Sequence, residues 1–191
     1  MVYKNVNDFV FESVIENPTN GVEEITPENG ESATLIGAEV SFQRQLDFLL
    51  GFLKGLGVYL NYTYVYSEAD FAAQRDGFED IGLPGACPHM FNGSLSYEDD
   101  KLSLRASVNY SADYIDELGS SSFNDRYYDS QFFLDLNASY AITPQLRVYA
   151  ELNNVTNQPL RYYQGVRERT MQIEYYDMRF NFGIKYDLFK K

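Results

Sequence analysis

Residues 179–188 read Arg-Phe-Asn-Phe-Gly-Ile-Lys-Tyr-Asp-Leu, so that Phe180, Phe182, Ile184, Tyr186 and Leu188 alternate with Arg179, Asn181, Gly183, Lys185 and Asp187. A period of two over this length specifies an extended strand with one apolar face and one wet face. The pattern recurs upstream. Ile36, Ala38, Val40 and Phe42 oppose Gly37, Glu39, Ser41 and Gln43, and Leu56, Val58, Leu60, Tyr62, Tyr64 and Tyr66 oppose Gly57, Asn61, Thr63 and Ser67. Phe91, Leu95 and Tyr97 then face away from Met90, Asn92, Ser94 and Ser96, and Leu102, Leu104, Ala106, Val108 and Tyr110 from Ser103, Arg105, Ser107 and Asn109. Two more stretches follow, Phe132 to Ile142 and Arg147 to Asn153. With a less regular first strand from about Val2 to Ile15, the chain reads as all-β, an antiparallel up-and-down meander of about eight long strands. Apart from a turn near Leu49 to Leu53, no helix is expected.

The 191 residues suffice for one domain without a disulfide staple. A net charge of -13, from 28 acidic and 15 basic residues, argues against a nucleic-acid partner, because phosphate recognition needs clustered Lys and Arg. Cys87 and His89, the single cysteine and the single histidine, are far short of a zinc-ligand set, and no cofactor is expected. The first residues, MVYKNVNDFVFESV, lack the layout of a signal peptide. No apolar run reaches about 18 residues, which excludes helical membrane spans and leaves a β-barrel open.

Connections alternate in length. Short links fall near Asp47 to Lys54, at Asp99-Asp100 and at Thr143 to Gln145; long ones cover Glu16 to Ser32, Glu68 to Pro88, Asp113 to Ser130 and Thr156 to Thr170. A meander then carries its short turns on one rim and its long loops on the other, as outer-membrane barrels do. The alternation itself also suits a soluble antiparallel sandwich or barrel that binds a ligand or partner. Three features favour lipid against the apolar face. The strands run to about ten residues or more, where soluble strands average about five to six and about nine to eleven tilted residues cross a bilayer. Tyr gathers toward strand ends, as at Tyr62 to Tyr66, Tyr110 and Tyr140. The polar face is small and mostly uncharged, unlike a solvated surface dense in Lys and Glu.

The run LNNVTN from Leu152 to Asn157, Tyr162-Tyr163 after it and the closing NFGIKYDLF from Asn181 to Phe189 resemble the C-terminal barrel portion of a TonB-dependent outer-membrane receptor. GAEVSFQRQLDFL from Gly37 to Leu49, YLNYTYVYSEAD from Tyr59 to Asp70 and LPGACPHMFNGSLSYE from Leu83 to Glu98 extend that resemblance in order and spacing, so that it covers about Ile36 to Phe189. It implies a barrel of about twenty-two strands around a plug domain, placed in the outer membrane of a Gram-negative cell. Residues 1–191 are then expected to be a partial barrel, with the plug domain, the TonB box and a signal peptide absent. The implied function is active uptake of a bulky nutrient, such as a ferric siderophore, a corrinoid or an oligosaccharide. The implied partners are outer-membrane lipid and lipopolysaccharide, the TonB complex through the plug, and the transported nutrient. A further implied partner is the outer-membrane assembly machinery, which would recognise the aromatic end at Leu188-Phe189, here followed by Lys190 and Lys191.

For ligand contact the resemblance points to lumen-facing Arg105, Asp135, Arg147 and Glu151 and to the loop carrying Arg161, Arg167 and Arg169. Three arginines within nine residues of an acidic chain suit bidentate contact with an anionic metal chelate. The plainer expectations are that the loop arginines pair with Glu168, Glu174 and lipopolysaccharide phosphates, and that the four lumen charges pair across strands as a structural ladder. Acid-rich loops at Glu68 to Asp80 and Asp113 to Asp129 offer oxygen ligands, but their spacing matches no calcium loop. Asp76, Glu79 and Asp80 lack the companions of a glycosidase site, and no enzyme is expected.

Overall fold

The computed structural model describes residues 1–17, 19–71 and 81–188. Asp76, Glu79 and Asp80, and the terminal Phe189, Lys190 and Lys191, lie outside the described residues. The strands are β1 (Val2–Asn7), β2 (Val10–Glu16), β3 (Glu23–Asn29), β4 (Ser32–Gln45), β5 (Leu56–Asp70), β6 (His89–Glu98) and β7 (Leu102–Ser111). After them come β8 (Tyr114–Glu117), β9 (Arg126–Tyr128), β10 (Gln131–Ala141), β11 (Leu146–Asn153), β12 (Leu160–Gln164), β13 (Val166–Glu174) and β14 (Arg179–Tyr186). Eight form one antiparallel sheet in the order β1-β4-β5-β6-β7-β10-β11-β14, the meander expected from the alternation.

Register aligns the apolar positions into rows that cross the sheet. Leu95 faces Ala106, Ala106 faces Leu136, Leu136 faces Leu152 and Leu152 faces Phe180. Nearer the long loops, Tyr62, Phe91, Tyr110 and Phe132 make an aromatic row over four strands. Tyr97, Tyr140 and Tyr186 stand toward the short turns. From Phe132 to Tyr140, eight residues at about 3.4 Å each span roughly 27 Å along the strand, or about 20 Å along the membrane normal at a tilt near 40°. That separation matches two aromatic girdles bounding an apolar band.

Among the described residues, none covers this face. Val40 (67% exposed), Phe182 (63%) and Ile184 (65%) stand open along with Leu60, Leu95 and Leu104. A soluble sandwich would bury these side chains against a second sheet, so the alternative of a soluble binding module is set aside. The buried apolar cluster lies instead at the loop rim on the polar side, where Phe11, Ala33, Ala69, Phe71 and Leu118 pack together. Phe71 meets the rings of Phe9 and Phe11 edge-on at 5.3 and 5.0 Å. The facing pair Ala33 and Ala69 leaves room for them.

Two expectations need correction. The first strand, read as continuous from Val2 to Ile15, breaks at Asp8, which adopts a left-handed φ of 55°. Opposite the break, a Cβ on Gly30 would stand 2.2 Å from the Phe9 ring. The chain therefore kinks, and β2 and β3 form a separate hairpin. The long connections also carry more structure than polar loops: β13, β12, β9 and β8 form a second sheet in that order. The short turns hold as read. Asp99 Oδ1 accepts hydrogen bonds from the amides of Lys101 and Leu102, and Thr143 Oγ1 from those of Gln145 and Leu146.

Candidate functional site

The polar face of the main sheet and the loop sheet above it hold the candidate residues. Alternation puts Ser, Asn and Thr on this face, and register brings Asn61, Asn92 and Asn109 into one row. Asn61 donates to Glu39 at 2.7 Å and to Ser41 at 2.6 Å, and Asn109 donates to Asn92. Tyr59, Phe133 and Tyr149 share this wall, a minority of aromatics that the alternation alone did not single out. Tyr149 lies across Gly183, its facing residue on β14.

The four lumen charges do not form the expected ladder. Arg105 and Glu151 flank Asn137 from opposite sides, and none of the four pairs with another of the four. Arg147 donates to Ser139 at 2.8 Å and faces Lys185, a like charge. Asn181 donates to Glu151 at 3.4 Å. Asp135 has a local task, accepting the amide of Asn154 at 2.8 Å.

That bond anchors the LNNVTN run. Leu152 and Asn153 finish β11, Asn154 and Asn157 take left-handed φ values of 56° and 48°, and the turn folds back on β10. Val155 donates to the Leu134 carbonyl and Thr156 Oγ1 to the Phe132 carbonyl, both at 2.8 Å. Asn tolerates this conformation better than other side chains, which is why the motif is rich in it.

The three loop arginines are brought to one sheet, but each engages groups of this chain. Arg161 pairs with Asp129 at 2.7 Å, donates to Thr170 at 2.9 Å and also reaches the Arg167 carbonyl. Arg167 pairs with Asp113 at 2.9 Å. Arg169 lies 3.8 Å over the Phe123 ring and donates to Gln164 Oε1 at 3.0 Å. The carboxylate partners are thus Asp113 and Asp129, where Glu168 and Glu174 were expected. Arg126, which the sequence reading passed over, clamps β8 through Asp116 and Glu117 and stacks 5.1 Å over Tyr162. The acids of the Asp113 to Asp129 loop are accordingly engaged by arginines or, for Asp125, by the amide of Gly119. No cluster of three or more His, Cys, Asp or Glu among the described residues is placed to hold a metal ion.

The densest electrostatic contact joins Tyr163, Asp113 and Arg167. The buried Tyr163 hydroxyl donates to Asp113 Oδ2 at 2.6 Å. Burial acts to raise the Asp113 carboxyl, but the hydrogen bonds from Tyr163 and Arg167 more than offset it and hold the group below its ordinary value. Burial, followed by the bond to Asp113, pushes the Tyr163 phenol far up. Parallel stacking of Tyr127 on Tyr163 at 5.0 Å completes the joint. These contacts fix the loop sheet in one geometry.

Below it, on the polar side of β10, β11 and β14, lies a cavity of about 490 Å³. Gln131, Phe133, Asp135, Tyr176, Asp177 and Arg179 are among its walls. Of these the sequence singles out only Asp135, because the others are scattered over two strands and the connection between β13 and β14.

Comparison with known proteins places this geometry. A family profile described as TonB dependent receptor-like, beta-barrel matches residues 2–155. The iron-regulated outer membrane virulence protein of Vibrio cholerae serotype O1, from two strains, is 31% identical over 104 residues, which are 53% of this chain. The matched segment spans 15% of those relatives' length. Among solved structures, the copper transporter OprC superposes with a TM-score of 0.64 over 96% of this chain and 27% of its own, at 15% identity, a likeness of fold alone.

Proposed function

The chain belongs to the TonB dependent receptor-like β-barrel family, and from that premise we propose that it forms part of the wall of a receptor that takes up a bulky nutrient with energy delivered through TonB. It is an outer-membrane barrel segment of a transport family and not an enzyme. The observation that carries the reading is the continuous apolar face, exposed row after row across the main sheet while the opposite face is polar. Only a bilayer on one side and a wet lumen on the other suits both surfaces. The single main sheet ends at β1 on one side and β14 on the other. In hydrocarbon such edges need partner strands, which supports residues 1–191 as one part of a larger barrel whose remainder supplies the plug and its TonB contact.

Of the three cargo classes, a ferric siderophore has the support of the curated relatives, whose name marks them as iron-regulated. The test is uptake of radiolabelled iron chelates, corrinoid and oligosaccharide by cells expressing the complete receptor, with and without TonB. Chelate uptake that requires both receptor and TonB is the expected result. Uptake indifferent to TonB, or no uptake of any of the three, would overturn the proposal.

A further inference from the structure

The turn between β4 and β5 is apolar at a rim where its neighbours are polar. Residues 46–55 read Leu-Asp-Phe-Leu-Leu-Gly-Phe-Leu-Lys-Gly and close with one turn of 3-10 helix, Gly51–Gly55, none of whose residues is buried. The short turns after β6 and β10 read Asp99-Asp100-Lys101 and Ile142-Thr143-Pro144-Gln145. Phe48 is 63% exposed, Leu50 83% and Phe52 74%. A contiguous apolar patch of this kind marks an interaction surface.

Register fixes the depth of this turn. Arg44 takes the outward position after Phe42 on β4 and faces Val58, and the same row continues through Leu95 and Ala106 to Leu136. With strands about 4.8 Å apart and tilted near 40°, the four steps from β10 to β4 shift that row about 12 Å along the membrane normal. The shift is toward the short turns, since Leu136 is central in β10 whereas Arg44 is the last residue but one of β4. An apolar band about 25 Å tall ends at that depth. Arg44 therefore stands where hydrocarbon gives way to phosphate, and the turn beyond it lies among headgroups. Its guanidinium is 5.4 Å over the Phe48 ring, which holds that ring on the lipid side. Lys54 adds a second cation two residues before β5 begins. Among the described residues neither cation pairs with a carboxylate, although the chain carries a net charge of -13.

We propose that the β4–β5 turn is an interfacial anchor in the periplasmic leaflet. Phe48, Leu50 and Phe52 enter the boundary between headgroups and acyl chains, and Arg44 and Lys54 meet the phosphates of anionic phospholipid. Two observations select lipid as the occupant. The turn continues the outward face of β4 and β5, which the bilayer already covers, and its uncommitted charges are cations at phosphate depth. Apolar side chains of an interfacial segment reach about 5–10 Å into this boundary, while Arg and Lys keep their charged heads in the polar layer. The proposal rests on the apolar face of the main sheet meeting lipid.

Fluorescence quenching on the complete receptor in phospholipid vesicles tests it. Leu50→Cys, in a Cys87→Ser background with no other reactive thiol, carries an environment-sensitive dye. Phe52→Cys is the second labelling site should the first variant fail to fold, judged by heat-modifiable gel mobility. Nitroxide-labelled phospholipid should quench the dye more strongly than iodide present on both sides of the bilayer. Nitroxide on phosphatidylglycerol should reach half-quenching at a lower mole fraction than nitroxide on phosphatidylcholine. Arg44→Gln and Lys54→Gln should each cut that preference about fivefold, the scale of one cation at an anionic surface, and Arg44→Lys should keep it. Stronger quenching by iodide, shielding from both quenchers by a covering protein surface, or a headgroup preference that neither Gln variant reduces overturns the proposal. A dye at Leu136→Cys is the control for the bilayer itself. Lipid quenching at 136 without lipid quenching at 50 sinks this proposal alone, whereas no lipid quenching at 136 sinks the membrane reading beneath it.

Discussion

Replacing Leu136 by Arg should cripple membrane assembly, whereas Asn137→Arg, one residue along the same strand, should be tolerated. Leu136 is the central residue of β10, with five strand residues on either side, and it lies four residues from both Phe132 and Tyr140. Five residues at about 3.4 Å and a tilt near 40° place it about 13 Å from either strand end along the membrane normal. Its neighbours are Ala106 and Leu152, so a guanidinium there meets hydrocarbon and two aliphatic side chains. A charge at that depth costs about 2–4 kcal/mol, or roughly 30- to 700-fold in the folded population. At 137 the new cation would stand between Arg105 and Glu151 on the wet wall. Repulsion and attraction there nearly cancel, leaving a change within about 0.5 kcal/mol. Folding of the complete receptor into lipid vesicles, read by heat-modifiable gel mobility over a urea series, measures the two costs. Equal tolerance of both variants, or greater harm from 137, would refute the assignment of the apolar face to lipid.

The loop sheet gives a pH prediction. Because the Asp113 carboxyl is held below its ordinary value, its contribution is fully present above about pH 4 and is lost as pH falls through the lowered value. Hydrogen exchange in β12, corrected for intrinsic rates, should therefore stay constant from neutral pH to about 5 and accelerate below about 4, and Asp113→Asn should remove that step. The raised Tyr163 phenol acts at the other end, with its contribution present below about pH 10 and lost as pH climbs through the raised value. Gly165→Ala should loosen the β12–β13 tip, since φ is 66° and the added Cβ would stand 2.4 Å from the Phe123 carbonyl oxygen; the left-handed strain alone is about 1–2 kcal/mol, and faster proteolysis within β13 would report it. Phe71→Ala removes the ring on which Phe9 and Phe11 pack and should destabilise the β2–β3 hairpin by about 3–5 kcal/mol, visible as earlier proteolysis there with the main sheet intact.

Period-two alternation was enough to read the main sheet, because each strand meets lipid on one face and the lumen on the other, and register preserves the separation from strand to strand. The loop sheet was illegible for the opposite reason. β8, β9 and β12 are three to five residues long, too short for alternation to register, and what joins them is contact between distant residues. Tyr163 and Asp113 are fifty positions apart. The break at Asp8 escaped because it depends on the Phe9 ring pressing on Gly30, a tertiary contact overriding a strand-forming sequence. Of the residues chosen as ligand contacts, Asp135 lines a cavity, but as one member of a group that no local spacing announces.

The order of the loop sheet explains why those arginines looked like ligand donors. β8 follows β7, β9 precedes β10, β12 follows β11 and β13 precedes β14, so the loop sheet repeats the order of the four strands below it. The loops continue the wall beyond the aromatic row. A wall raised into water loses the support of lipid and must hold itself by other forces. Burial is scarce in so thin a structure, which leaves charge-assisted hydrogen bonds and aromatic stacking. An acidic chain that builds such a wall needs cations where its carboxylates converge, and Arg126, Arg161 and Arg167 stand at those points. The closeness of Arg161 and Arg167 in sequence is the imprint of that need.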